Sequence, residues 1–112
     1  MNDHRSPVYR DDGELVGFVT GADDAWTPLA VFGVPLGEPT TRPDAERFLR
    51  DSGLAVLADV WLVEEGDVWQ RANIVEAEPG RVVVQLADFE HPDSWGLMRT
   101  LVDPTGTELK RS

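Results

Sequence analysis

The chain contains no cysteine among its 112 residues. Disulfide bonds, thiolate metal sites and cysteine nucleophiles are therefore excluded. It also lacks any run of about 18 apolar residues, the length that a membrane-spanning helix needs. The first residues do not show the basic and then apolar order of a signal peptide. These absences predict a cytoplasmic protein.

Basic side chains are scarce, with 10 Lys and Arg against 21 Asp and Glu and a net charge of -11. Nucleic-acid binding depends on clustered Lys and Arg that release counterions from phosphates, and anionic membranes attract the same clusters. We therefore expect neither nucleic acid nor a membrane as a partner. The acidic field favours another protein with a basic surface, or a cationic group. Arginine outnumbers lysine nine to one, a bias typical of GC-rich bacterial genomes.

The length and composition predict one domain over residues 1–112, with residues 1–6 frayed. Apolar residues make up 41% of the chain and charged residues 28%, which is ordinary for a globular protein. No internal repeat or linker divides the sequence. The sequence does not indicate an oligomeric state.

The hydrophobic pattern alternates over most of the chain, which is typical of β-strands separated by Gly, Pro and Asp turns. The predicted strands lie at 8–10, 15–20, 26–34, 54–63, 69–77, 81–89, 97–102 and 107–110. We expect an α+β fold, mostly antiparallel, of about seven or eight strands. The strands would form a meander or a small barrel, with one helix covering the sheet.

The helix is predicted at residues 42–52. Thr41 is a suitable N-cap, Pro43 fits the first turn, and Phe48 and Leu49 share an apolar face. Gly53 is expected to end the helix in a left-handed conformation. We expect both Phe48 and Leu49 to be buried against the sheet.

The sequence has none of the common active-site motifs. There is no Gly-x-Ser-x-Gly elbow, no dinucleotide-binding Gly-x-Gly-x-x-Gly and no phosphate-binding loop. A group of acids around His91 lacks the register of a calcium loop, and one histidine is too few for an ordinary zinc site. We therefore expect no catalytic residue, no metal site and no cofactor.

Most of the net negative charge lies in one aromatic-rich segment. Residues 59–93 hold nine acidic side chains against two arginines. Within this segment, residues 61–72 read WLVEEGDVWQRA and residues 81–89 read RVVVQLADF. Over residues 59–90 this pattern resembles a Tudor-type, SH3-like small barrel, in which one aromatic precedes an acidic turn and a second precedes Arg-Ala. The resemblance implies an aromatic cage at Trp61, Trp69 and Phe89 that would hold a methylated Lys or Arg.

Acidic side chains flank the three aromatic positions. Aromatic faces attract cations, and carboxylates around them strengthen that attraction. The expected ligand-binding residues are Trp61, Trp69, Phe89, Glu64, Glu65 and Glu90. The alternative interpretation is that the rings pack in the core or across strands, as large aromatic side chains usually do.

Three hypotheses about function follow. The first is a non-enzymatic binding or regulatory module that contacts another protein through an acidic surface containing aromatic side chains. The second is a domain that binds a small ligand or a cation. The third is an enzyme that uses carboxylates alone. A pocket with convergent polar groups would favour the second or third, and an exposed apolar patch would favour the first.

Overall fold

The computed structural model describes residues 5–112. Over that range the chain forms eight strands in two antiparallel sheets, one α-helix and two short 3-10 segments. The strands are β1 (Arg5–Tyr9), β2 (Leu15–Ala22), β3 (Ala25–Leu29), β4 (Trp61–Glu65), β5 (Val68–Glu78), β6 (Arg81–Leu86), β7 (Met98–Val102) and β8 (Leu109–Arg111). The helix is α1 (Arg42–Ser52). The predicted fold class, mostly antiparallel β with one helix, is confirmed. No helix of residues 5–112 is long and apolar enough to cross a membrane.

The first sheet has the order β1-β2-β3. Its first turn is the predicted one: Gly13 has φ +88°, and the Asp12 carboxylate accepts a hydrogen bond from the Glu14 amide at 3.0 Å. Of the six residues predicted to be frayed, residues 1–4 lie outside the described range. Arg5 and Ser6 belong to β1 and pair with β2, because strand pairing extends further than the short apolar run suggested.

The predicted strand at 26–34 is only partly a strand. β3 ends at Leu29, and the next residues form a tight turn closed by hydrogen bonds between Ala30 and Val34 and from the Gly33 amide to Ala30. Gly33 has φ +99°, which lets the chain reverse. The apolar run that resembled a strand is therefore a buried turn, whose Phe32 is fully enclosed.

Helix α1 has the predicted bounds and the predicted N-cap. The Thr41 hydroxyl accepts a hydrogen bond from the Asp44 amide at 3.2 Å. The expected left-handed ending is wrong, since Gly53 has φ -58° and continues the right-handed course. Glycine is required there for space, because a Cβ would overlap the carbonyl oxygens of Val16 and Leu49. A 3-10 segment at Ala55–Ala58 follows, so the strand predicted at 54–63 begins only at Trp61.

The second sheet has the order β7-β6-β5-β4-β8, and β4 to β7 form the predicted meander. This sheet is strongly curled. The Arg99 guanidinium of β7 donates two hydrogen bonds, at 2.9 and 3.1 Å, to the Glu65 carboxylate of β4, although two strands separate them. In the described part of the chain, β7 and β8 are at opposite ends of the sheet and do not pair.

The core lies between the curled sheet, the first sheet and α1. Its largest member is Trp61, which is 0% exposed and meets Phe32 edge-on with ring centroids 5.5 Å apart. The Trp61 indole N–H donates to the Val56 carbonyl at 2.9 Å. This bond satisfies the one polar group of the buried ring.

The two large apolar side chains of α1, Phe48 and Leu49, differ in burial, so substituting each of them tests how the helix packs. Leu49 is fully buried, as predicted, whereas Phe48 is only half-buried and lines a depression beside Pro28 and Leu36. We expect Leu49→Ala to lower the free energy of unfolding by about 2 to about 5 kcal/mol, and Phe48→Ala to cost less. Urea denaturation followed by circular dichroism measures both. An equal or larger loss for Phe48→Ala would contradict this packing.

Candidate functional site

The structure does not bring the three predicted cage rings together. Trp61 lies in the core, opposite Ala72 in the β4–β5 register, whereas Trp69 lies opposite Glu64. Side chains alternate between the two faces of a strand. Trp61 and Trp69 therefore point to opposite faces of the sheet, and the expected convergence with Phe89 does not occur.

Trp69 nevertheless has a cation over its ring. The Lys110 ammonium of β8 lies 4.4 Å from the ring centroid, and Glu64 is the cross-strand neighbour of Trp69. Lys110 is the only lysine of the chain. The attraction of an aromatic and acidic face for a cation, inferred from the sequence, is thus satisfied here by the chain itself.

The other predicted site residues lie in two different places. Glu65 faces the concave side of the curled sheet, where it is held by the ion pair with Arg99. Phe89 and Glu90 lie on the loop between β6 and β7, and both are exposed. Of the six predicted residues, Glu64 lies across the ladder from Trp69, Trp61 and Glu65 lie on the other face of β4, and Phe89 and Glu90 are consecutive on the loop.

The β6–β7 loop is fastened to the sheet by Asp88. β6 ends at Leu86, and Ala87 still donates its amide to the Arg71 carbonyl of β5. The Asp88 carboxylate then accepts the Arg71 amide through Oδ2 and the Glu90 amide through Oδ1, each at 2.9 Å. At the end of the β5–β6 ladder, the Asp88 side chain thus accepts the hydrogen bond that a backbone carbonyl would accept if β6 continued.

These two backbone amides keep Asp88 ionised. Hydrogen bonding from the Arg71 amide, and then from the Glu90 amide, lowers the pKa of the Asp88 carboxyl below its ordinary value. The side chain is almost fully covered, with the residue 7% exposed. Asp88 is therefore a structural anion, because both of its carboxylate oxygens already accept hydrogen bonds from the chain's own backbone.

The turn anchored by Asp88 directs an aromatic side chain outward. The His91 amide donates to the Asp88 carbonyl at 3.0 Å, which closes a tight turn with Phe89 at its outer corner. A 3-10 segment, Pro92–Ser94, then leads to Trp95. The Gly96 amide returns to the Leu86 carbonyl at 2.8 Å and closes the loop.

Phe89 and Trp95 form an exposed aromatic pair. Phe89 is 79% exposed and Trp95 49% exposed, and their ring centroids are 5.0 Å apart with planes tilted by 46°. Val60, also exposed, lines the same depression. We call Val60, Phe89 and Trp95 the aromatic patch.

The depression at the aromatic patch has a volume of about 480 Å³. Its lining residues are Val60, Arg71, Ala72, Asn73, Ala87, Phe89, Trp95 and Ser112. Two exposed carboxylates, Glu90 and Asp93, belong to the same loop. The lining is largely apolar and includes one guanidinium, that of Arg71.

Reasoning from the sequence missed Trp95 and Val60 as members of this surface. A usable signal was present, because Trp95 follows Phe89 by six residues in a segment whose Pro, Asp and Gly indicate a loop. Two large aromatic side chains on one short loop have few buried positions available to them. Within residues 5–112, no three His, Cys, Asp or Glu side chains are grouped so that they could hold a metal ion.

The chain was compared with known proteins in three ways. No protein-family profile matches it, and neither a curated protein nor a solved structure matches it. The Tudor-type resemblance of residues 59–90 therefore stays a prediction.

The anchoring role of Asp88 predicts a pH-dependent loss of stability. Because its pKa is lower in the folded state than in the unfolded chain, the ionised carboxylate stabilises the fold at neutral pH, and this contribution disappears as the pH falls below about 4. We expect Asp88→Asn to lower the urea midpoint at pH near 7, since the amide would turn an N–H₂ group toward a backbone donor. The difference from the parent should shrink in acid.

A matched control is Asp93→Asn, which removes the same charge from an exposed position on the same loop. Urea denaturation of the three proteins across the acid range measures the effect. Equal midpoints for the two variants at every pH would contradict the anchoring role of Asp88.

Proposed function

We propose that this chain is a non-enzymatic protein-binding module and that the aromatic patch is its interaction surface. The observation that carries the proposal is the 79% exposure of Phe89 beside the exposed ring of Trp95. Isolated exposed apolar residues are common, but adjacent aromatic rings around a depression are typical of interaction sites. Aromatic side chains are also the most frequent centres of binding energy at interfaces.

The hydrogen bonds that tie the loop to the sheet support the same proposal. Phe89 and Trp95 are carried by a turn whose backbone is tied to β5 and β6 through Asp88 and Gly96. A surface that is ordered before binding loses little conformational entropy when a partner arrives. The patch is therefore prepared for a partner without a folding step.

The charges favour a partner segment that carries apolar and basic side chains together. The loop that carries Phe89 and Trp95 also carries the exposed Glu90 and Asp93, and the whole chain has a net charge of -11. Complementary charge raises the rate of association and rejects acidic partners. We expect an apolar anchor of the partner between Phe89 and Trp95, with Lys or Arg toward the carboxylates.

A second candidate is binding of a cationic ligand at the face of Trp69. It is supported by the Lys110 ammonium 4.4 Å from that ring, with Glu64 across the ladder. Trp69 shares a face of β5 with Arg71, which lines the depression, at about 7 Å along the strand. A methylated lysine peptide would have to displace Lys110 in order to bind there.

Enzymatic use of carboxylates has no comparable support. Among residues 5–112, the only charged side chain that lines the depression is the Arg71 guanidinium. Among the described residues, Asp88 uses both carboxylate oxygens to hold backbone amides, and Glu65 is held by Arg99. A general acid and base need free carboxyl groups that face a common substrate position.

The proposal is tested by selecting ligands against the folded protein. A displayed library of random peptides is selected on the parent and counter-selected on the Phe89→Ser, Trp95→Ser double variant. We expect the selected peptides to combine Lys or Arg with aromatic or aliphatic residues. Their affinity for Phe89→Ala should fall by about 30-fold, the equivalent of about 2 kcal/mol for a central contact residue.

Two controls separate binding from folding. Phe89→Ala should change the free energy of unfolding by less than about 0.5 kcal/mol because the ring is exposed. Trp69→Ala should leave the affinity of these peptides unchanged, whereas it would abolish binding of a methylated lysine peptide at the second candidate site. Peptides that bind the parent and Phe89→Ala equally would refute the proposed surface.

A further inference from the structure

The edge strand β7 differs from the other edge strands of the molecule. Natural sheets protect their edges with proline, with lysine or arginine, or with very short strands. β1 contains Pro7 and β3 contains Pro28, while β8 has three residues, two of which are Lys110 and Arg111. β7, with the sequence MRTLV, has no proline, and its one arginine, Arg99, is turned inward to Glu65.

The open side of β7 offers hydrogen-bonding groups at alternate residues. The Leu97 carbonyl accepts a hydrogen bond from the Leu86 amide, and the Asp103 amide donates to the Gly80 carbonyl. The backbone amides and carbonyls of the odd-numbered residues in this stretch therefore point toward β6. Backbone groups alternate in direction along a strand. The residues whose amides and carbonyls point away from β6 are therefore Met98, Thr100 and Val102.

The same three residues display exposed side chains. Val102 is 70% exposed and Met98 48% exposed, and Thr100 between them is exposed as well. Their side chains lie on the outer face of the curled sheet. The side chains of Arg99 and Leu101, which alternate with them, lie on the core side opposite Val84 and Val82. Within residues 5–112, β7 thus has no strand partner on this side, and it carries a stripe of apolar and β-branched side chains.

We propose that β7 pairs antiparallel with β7 of a second copy of this chain, about a two-fold axis at Thr100. In this register Thr100 faces its own counterpart, and Met98 of each copy faces Val102 of the other. The outward amide and carbonyl of Thr100 would form a reciprocal hydrogen-bonded pair across the axis. Apolar side chains would meet apolar side chains in both halves of the interface.

The local charge permits a second copy even though the whole chain is acidic. Neither β7 nor the adjacent β6 contains an acidic residue. The Arg99 guanidinium also donates to the Met98 carbonyl at 3.0 Å and would have to release it, which costs part of the gain. With short strands and a net charge of -11 on each copy, the dimer should be weak and should strengthen as salt screens the repulsion.

The dependence on salt distinguishes this pairing from the proposed binding function. A basic partner at the aromatic patch would dissociate as salt is added, whereas two acidic copies would associate. The inference does not depend on the aromatic patch. Phe89→Ala therefore serves as a variant in which dimerisation should be unchanged.

The test measures mass and amide protection in the purified full chain. Sedimentation is followed from micromolar protein to about 1 mM, in salt of about 0.05 and about 0.5 M. We expect the mass to rise from 12.4 kDa toward twice that value, and more readily at high salt. Hydrogen exchange should show new protection at the Thr100 and Val102 amides with concentration, and none at Arg99 and Leu101, which already face β6.

Variants of Thr100 locate the interface. Thr100→Pro removes only an outward amide and should remain a folded monomer, and Thr100→Glu should do the same because two carboxylates would meet at the axis. Ala55→Glu adds the same charge at an exposed position outside β7 and should dimerise like the parent. A parent that stays at 12.4 kDa in high salt, or a Thr100→Pro protein that associates as the parent does, would overturn the proposal.

Discussion

The candidate site depends on one interaction, the capture of two backbone amides by the Asp88 carboxylate. At the end of β6 the part-buried Arg71 amide of β5 needs an acceptor, because a donor that is shielded from water and left unpaired costs free energy. Asp88 supplies one oxygen to this amide and the other to the Glu90 amide. The turn is thereby fixed, with Phe89 directed into solvent.

By holding the Arg71 and Glu90 amides, Asp88 fixes the loop that exposes Phe89 and Trp95. Without the Asp88 bridge, the loop would be held at its two ends by the backbone bonds of Ala87 to Arg71 and of Gly96 to Leu86, and between them by its own turns. With it, Phe89 and Trp95 stay beside each other at 5.0 Å and their exposure is part of the folded state. Exposing two aromatic rings costs free energy. The burial of the core around Trp61 and Phe32 offsets this cost.

The alternation of side chains along β4 and β5 explains why the cage predicted from the sequence does not form. The register places Gly66 and Asp67 as a two-residue loop, so odd-numbered residues of β4 pair with even-numbered residues of β5. Trp61 and Trp69 must then lie on opposite faces. The acidic turn was recognised from the sequence, but the number of residues in its loop was not fixed. A change of one residue in that number moves every side chain of one strand to the opposite face of the hairpin.

Features set by neighbouring residues were predictable, and features set by distant contacts were not. The bounds of α1 followed from Thr41, Pro43 and its apolar face, all of which act locally. The reason for a glycine at position 53 did not, because it includes the close approach of the Val16 carbonyl of β2, which is far away in sequence. The anchoring role of Asp88 likewise depends on Arg71, which is reached only after β5 and β6 have paired.

The most direct test of the account is an amide-proton titration by NMR as the pH is lowered through the acid range. Amide protons that donate to a carboxylate shift when that carboxylate is protonated. We expect the Arg71 and Glu90 amides to move together, with one shared midpoint below that of an ordinary aspartate, because both report the lowered pKa of Asp88. Amides that do not move, or that move with separate midpoints, would contradict the anchor and the surface that depends on it.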